Sequence, residues 1–263
     1  MKQYIVDAFT DEIFKGNPAA VCIMERWIDE KLMQKIAVEN NLSETAFAVK
    51  DKKNGLYKLR WFTPGGEVEL CGHATLATAF IITKFFEPET TEIIFDTLSG
   101  PLSVTKNGEF FTLNFPSFKL NPIPVTQKII DAIGTKPQEA YMGADIVCIL
   151  KNEEEVRNVK PNLKIIQELE GVCFHVTAQA KEFDCITRSF APKCSVAEDP
   201  VCGRAHCHII PFWTKKLKKT NLTAYQASRR GGILYCRTEK KRTIISGKAV
   251  LFSIAEIFVT QDF

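Results

Sequence analysis

Two short segments join a thiol, a glycine and an ionisable side chain in the same order: Cys71-Gly72-His73-Ala74 and Cys202-Gly203-Arg204-Ala205. Glycine lets a ligand approach the backbone closely, and the free N–H groups that open a helix favour an anion. Facing one another, two such helix starts would cradle a carboxylate or a developing enolate. One copy alone reads more simply as a tight strand-to-helix turn. The duplication, with His73 and Asp199 at matching places, favours function.

The candidate acid–base is Glu44, in Asn40-Asn41-Leu42-Ser43-Glu44-Thr45-Ala46-Phe47, between a helix stop and a strand. Burial beside Leu42 and Phe47 would keep its carboxyl partly protonated, which suits general acid–base work. A solvated loop glutamate is the plain alternative. His73 has one as well, as a cap of a buried helix, and Asp199 as an N-cap before Pro200 at the first helical position. Cys202, His206, Cys207 and His208 raise a metal site. Residues four apart share a helix face, but Cys207 and His208 point elsewhere, so no metal is expected. The run Ser228-Arg229-Arg230-Gly231-Gly232 reads as a hairpin-like turn with two cations. Gly231 and Gly232 there either close over an anion or lie at the surface.

The elements that must carry these residues are repeated. Arg60-Trp61-Phe62-Thr63-Pro64 precedes Glu67 and Cys71-Gly72-His73-Ala74; Arg188-Ser189-Phe190-Ala191-Pro192 precedes Glu198 and Cys202-Gly203-Arg204-Ala205. Both copies read R-x-F-[TA]-P, a gap, then E-x-x-x-C-G-x-A, which predicts two similar domains in a pseudo-twofold arrangement. In each a strand stops at proline, a turn follows, and C-G-x-A opens a helix. The first helix, over 72–86, is apolar nearly all round and so belongs in a core, with Glu87-Pro88 ending it. In the second, Pro211 predicts a kink or early stop. Asp29 to Asn41 is an amphipathic helix with Asp29 as N-cap and Asn40-Asn41 as the stop. Strand-like runs recur over 3–8, 45–49, 92–95, 110–114, 147–150, 171–177, 183–189, 233–237 and 249–259, with helical segments at 127–133 and 163–169. The Pro-rich stretch 116–124 reads as the linker between halves.

Composition narrows the classes. The formal net charge is +3 and the basic residues are spread out. Only Lys215 to Lys219 is locally basic, and it reads as a solvated helix end, so no nucleic acid is expected. The cysteine count is odd, at nine. The N-terminus reads directly into a strand, and several thiols sit in apolar runs as small hydrophobes. A reducing, cytoplasmic setting follows from this reading. No apolar run is long enough to span a bilayer, so no membrane partner is expected.

Further runs complete a pattern. Asp7-Ala8-Phe9-Thr10 and Phe14-Lys15-Gly16-Asn17-Pro18-Ala19-Ala20-Val21 join Glu39 to Phe47, Trp61 to Pro64, Cys71 to Thr75, Glu198 to Val201, Ala205-His206-Cys207 and Gln226 to Arg229. Together they resemble the PhzF-like (phenazine biosynthesis) family of the diaminopimelate-epimerase-like superfamily, in order and over nearly the whole chain. The resemblance implies an α+β fold of two similar epimerase-like domains, each a curved mixed sheet wrapped around a central helix, with the active site in the cleft between them. The domains would span 1–117, completed by a C-terminal strand at about 251–263, and 118–250. It implies an isomerase that shifts a proton on a small carboxylate substrate with no cofactor, and a homodimer. Glu44, His73 and Asp199 would be catalytic; Cys71, Gly72, Cys202, Gly203, Arg204, Gly231 and Gly232 would bind substrate. Two departures stand out. Cys202 and Arg204 replace the usual threonine and serine, so Arg204 either pairs with an extra carboxylate or swings away and leaves its backbone N–H in use. Cys71 and Cys202 also occupy the places of the thiol pair in related racemases, which leaves a two-thiol epimerase as one alternative and a non-catalytic small-acid binder as another.

Overall fold

The structure, a computed structural model, describes residues 1–259. The α+β chain divides into two compact units: Met1–Asn114 with the chain from Ser246 onward, and Phe115–Ile245.

The first unit opens with β1 (Lys2–Ala8), β2 (Asn17–Met24), α1 (Glu30–Asn40), β3 (Glu44–Lys50), β4 (Tyr57–Thr63) and β5 (Gly66–Val68). Then come α2 (Gly72–Phe85), β6 (Glu92–Thr97), β7 (Gly100–Asn107) and β8 (Phe110–Pro116). β1 and β2 are antiparallel, β2 and β3 parallel, β3 and β4 antiparallel, and β4 and β6 parallel. The α1 caps are those the residue types predict. The Asp29 carboxylate accepts from Lys31 N at 2.9 Å, and Asn41 closes the helix in a left-handed conformation at φ 48°. α2 is buried on nearly every side, with Leu76, Ile81 and Ile82 fully enclosed against β1, β2 and β3. Each such side chain contributes roughly 1.5–3 kcal/mol. Its buried Thr75 and Thr78 hydroxyls return to the Cys71 and Ala74 carbonyls at 2.5 and 2.7 Å, so no donor is stranded.

The second unit contains β9 (Asn121–Ile123), α3 (Gln127–Ile133), β10 (Glu139–Met142), β11 (Ile146–Ile149), α4 (Glu153–Asn158), α5 (Leu163–Gln167), β12 (Phe174–Gln179) and β13 (Cys185–Ala191). β14 (Val196–Asp199), α6 (Gly203–Leu217), β15 (Asn221–Gln226), β16 (Gly232–Glu239) and β17 (Arg242–Gly247) follow. β18 (Ala249–Glu256) then returns the chain to the first unit, antiparallel to β1. Residues 260–263 of the strand expected at about 251–263 lie outside the described residues.

Three expectations need correction here. The stretch 116–124 is not all linker, because Asn121–Ile123 pairs antiparallel with β10. Strand β12 starts at Phe174 rather than 171, since Gly171 turns at φ 84°. α6 does not stop at Pro211 but runs to Leu217. The proline ring removes one donor, and the Cys207 carbonyl that it would have served accepts Phe118 N at 3.0 Å instead.

The pairing order of the first unit recurs in the second. β10 and β11 are antiparallel, β11 and β12 parallel, β12 and β13 antiparallel, and β13 and β15 parallel. The repeated arginine and glutamate make one fork in each copy. Arg60 reaches the Glu67 carboxylate at 2.6 Å through Nε and Nη2, and Arg188 reaches Glu198 at 2.7 and 2.9 Å. Each guanidinium also lies 5.1 Å from the ring of the phenylalanine two residues on. The repeated R-x-F and Glu therefore tie β4 to β5 and β13 to β14, just before the two helix starts.

Candidate active site

In the first unit Asn41 ends α1 and releases the chain into β3, whose first residue is Glu44. β3 is flanked by β2 in parallel, with Ala19 opposite Glu44, and α2 opens at Cys71-Gly72-His73. His73 Nε2 lies 3.1 Å from Glu44 Oε2, and the two side chains are 5% and 16% exposed. Neither atom has a partner of good hydrogen-bond geometry among the described residues, so both retain capacity for a ligand. The other ring nitrogen, Nδ1, faces the Asn17 side-chain amide nitrogen at 3.1 Å and Cys71 Sγ at 3.5 Å. Asn17 is fully buried and is placed by Gly16, where a side chain would put Cβ 2.1 Å from the Ala8 carbonyl oxygen.

The charges here follow from burial and neighbours. Burial, reinforced by Glu44, pushes the Cys71 thiol up to about 11. Burial disfavours charge on His73, yet Cys71 and Glu44 outweigh it and hold its pKa well above the ordinary histidine value.

In the second unit α6 opens at Gly203 with Cys202 as N-cap, and Cys202 Sγ accepts Ala205 N at 3.4 Å. Asp199 is the last residue of β14, not an N-cap as the Asp-Pro pair suggested; its Oδ1 accepts Val201 N at 3.2 Å within the turn. Arg204 pairs with a carboxylate, and that carboxylate is the chain's own Asp145. Nε lies 2.6 Å from Oδ2 and Nη2 3.4 Å from Oδ1. Asp145 is fully buried and also accepts Val172 N and Cys173 N at 2.9 and 3.0 Å. Burial alone would raise its pKa, but His175, Arg204 and the Cys173 N–H hold it far below the usual carboxylate range. The Cys173 thiol beside Cys202, followed by burial, raises the Cys202 pKa well above normal.

The Cys202, His206, Cys207 and His208 side chains do not converge on a metal site. His206 Nδ1 and His208 Nδ1 bond the Cys202 and Arg204 carbonyls at 2.7 and 3.0 Å, and Cys207 Sγ bonds the Gly203 carbonyl at 3.4 Å. Burial lowers both histidines to about 4, so they are neutral. Among the described residues two other trios bring donor atoms within 4.8 Å of one another: Glu44, Cys71 and His73, and Asp145, Cys173 and His175. The second has its carboxylate already engaged by Arg204.

Gly231 and Gly232 sit where β15 turns into β16, with Gln226 opposite Gly232. Gly231 has φ 71°, and a Cβ there would lie 2.5 Å from Tyr225 Oη. Sequence reasoning missed Asn17, Asp145, Cys173 and His175. For Asn17 a signal was present in the Gly16-Asn17-Pro18 run; for the other three only the sheet register reveals them.

A family model for phenazine biosynthesis-like proteins (PhzC-PhzF) matches residues 6–255. The chain belongs to this family. An uncharacterized isomerase of Pseudomonas aeruginosa is 41% identical over 247 residues, covering 94% of this chain and 95% of the relative. An uncharacterized isomerase of Halalkalibacterium halodurans is 40% identical over 263 residues, covering 97% and 98%. The crystal structure of a PhzF-family protein from Enterococcus faecalis superposes with a TM-score of 0.95 at 48% identity, covering 98% of this chain and 99% of that one. A probable proline racemase from Agrobacterium radiobacter, at 9% identity and a TM-score of 0.69 over 99% of this chain and 94% of its own, shares the fold. The PhzF-like chain thus has an epimerase-like α+β architecture, and curated relatives carry the name isomerase. No helix among the described residues is long and apolar enough to cross a membrane.

Proposed function

We propose that this PhzF-like protein is a cofactor-independent isomerase that moves a proton between carbon positions of a small carboxylate-bearing substrate, with Glu44 as general acid–base. The observation that carries the reading is the Glu44–His73 pair: two nearly buried groups 3.1 Å apart whose facing atoms still have hydrogen-bonding capacity. The Glu44 carboxylate takes a proton from the activated carbon and returns it to another carbon. Charge that develops on the substrate is met by preorganised N–H groups of the helix starts. His73 holds the Glu44 carboxyl in place and relays protons, with its far nitrogen anchored by Asn17 and Cys71. Gly72 is assigned as a backbone contact to substrate.

The two-thiol racemase is disfavoured by the thiols themselves. Such a pair needs one thiolate at working pH, yet burial raises Cys71 to about 11, and the neighbouring Cys173 thiol with burial raises Cys202 well above normal. The discriminating measurement is incorporation of deuterium from D2O into a panel of carboxylic acids, followed by NMR. Glu44→Gln should abolish incorporation, while Cys71→Ser and Cys202→Ser should stay within about tenfold of the parent, less than the ~10²–10⁴ carried by a general acid–base. Loss in either serine variant with retention in Glu44→Gln would instead establish the thiol mechanism. Tight binding of an acid with no exchange would make the protein a binding module.

A further inference from the structure

We propose that Glu44, Cys71 and His73 form a site for a divalent cation of the zinc class, which blocks the Glu44 carboxyl when it binds. The blocking, though not the binding, rests on reading Glu44 as the acid–base. Among the described residues these three bring one oxygen, one sulfur and one ring nitrogen to within 4.8 Å of one another. Such ligand atoms around a tetrahedral zinc lie roughly 3.4–3.6 Å apart. Closing them on an ion therefore needs a contraction of at most about 1.2 Å, a matter of side-chain torsion. Contacts of that scale are already present: Cys71 Sγ is 3.5 Å from His73 Nδ1, and His73 Nε2 is 3.1 Å from Glu44 Oε2. A second observation is independent of the spacing. His73 is only 4% exposed, yet its Nε2 and the facing Glu44 Oε2 have no hydrogen-bond partner of good geometry among the described residues. Buried polar atoms in that state call for a ligand, and an ion is one of the few that fit.

The donor types choose the cation. A thiol, an imidazole and a carboxylate together suit zinc or cobalt, whereas magnesium and calcium take oxygen ligands. Coordination displaces the Cys71 thiol proton to solvent and leaves the imidazole neutral. The thiolate and the Glu44 carboxylate then cancel the double charge of the ion, so the complex is neutral where burial penalises net charge. The other trio, in the second unit, fails the same test. Asp145 is engaged by Val172 N, Cys173 N and Arg204, and that guanidinium, 2.6 Å from Oδ2, would repel a metal. Glu44 pairs with no lysine or arginine among the described residues, and at 16% exposure its side chain is the edge from which an ion arrives. Once ligated, its oxygen no longer accepts a proton from carbon, so metal and substrate exclude one another. A bare acid–base pair beside an inert thiol predicts no such affinity.

Titration of the full chain, freed of metal by a chelator, with Co²⁺ reads binding without any substrate. It should develop the visible spectrum of a tetrahedral ion and a thiolate-to-cobalt charge-transfer band, saturating at about one equivalent, and Zn²⁺ should bleach both. Cys71→Ser should abolish the band and weaken Zn²⁺ at least about a hundredfold, because even groups that only support a ligand are worth about 10–100-fold. Glu44→Gln, a conservative change that keeps the test open if Cys71→Ser does not fold, should retain the band and weaken binding about tenfold or more. Cys173→Ala and Cys194→Ser should leave the titration unchanged. With an acid that exchanges deuterium, Zn²⁺ should compete with substrate and Mg²⁺ should have no effect. No thiolate band in excess Co²⁺, a band unmoved by Cys71→Ser, or one lost in Cys173→Ala overturns the site. Zinc held by the trio with exchange unchanged or faster overturns the blocking. Binding at the trio without deuterium exchange on any acid would sink the isomerase reading alone. Exchange without binding at the trio would sink this one alone.

Discussion

The two helix starts use one backbone plan to opposite ends. Opposite Arg60 in the sheet is Phe47, and opposite Arg188 is Val176. Counting three residues back from each places Glu44 and Cys173 at the same position of the two repeats. The residue after the helix-opening glycine is His73 in one and Arg204 in the other. In the first unit a carboxyl with 16% exposure faces a buried histidine across 3.1 Å with capacity left over. In the second, the matched position holds a thiol, and the carboxylate has moved to Asp145, where it is fully buried and fully engaged. A carboxylate that retains free acceptor capacity can exchange protons with a ligand; one saturated by an arginine and two N–H groups can only position. The repeat supplies two matching helix starts, and side-chain choice leaves one carboxyl with spare acceptor capacity and the other carboxylate fully engaged.

Removing the reactive half of this contrast should give the largest effect. Glu44→Cys, which makes the first unit imitate the second, should lower the exchange rate by ~10²–10⁴, whereas Cys173→Ala should cost only a few-fold. Comparable losses would show that the matched positions are not functionally distinct. Next is Asp145→Ala, which strands Arg204 and two N–H groups. Urea unfolding should show a loss of about 3–5 kcal/mol. The sign of its pH dependence follows from the depressed carboxyl: Asp145 stabilises the fold above the unfolded-chain value of about 4 and loses that contribution as pH falls through its lower folded value. Acid unfolding should accordingly be less steep in Asp145→Asn than in the parent. The smallest effect separates the two forks. Arg60→Met should cost no more than about 1 kcal/mol, because one partner, Glu30, is 67% exposed. Arg188→Met should cost about 2 kcal/mol or more, since Arg188 Nη1 also serves the Val156, Arg157 and Val159 carbonyls. Equal losses would mean that those carbonyl contacts add nothing.

Much of the fold was legible in residue patterns. Asp29 and Asn41 bound α1 because a side-chain acceptor and a residue tolerant of left-handed backbone act locally. The apolar circumference of α2 announced its burial, and the paired R-x-F motifs announced the repeat. The misreadings share a cause. Pro211 predicts a kink or early stop of α6, and the early stop does not occur because the orphaned carbonyl finds a donor from Phe118, far away in sequence. The plain alternative for Asp199, an N-cap before Pro200, fails because α6 starts at Gly203.

Local chemistry by itself settled the family motifs, the limits of α1 and the identity of Glu44, His73 and Arg204 as residues to watch, because caps, turns and periodicity act within a few residues. Partners were another matter. That His73 meets Glu44 and Asn17, and that Arg204 is claimed by Asp145, depends on strand register and on segments 29, 56 and 59 positions apart in the chain. Hydrogen bonds and ion pairs act over a few ångströms, so only the packed sheet could decide which carboxylate stayed open to a ligand and which was buried.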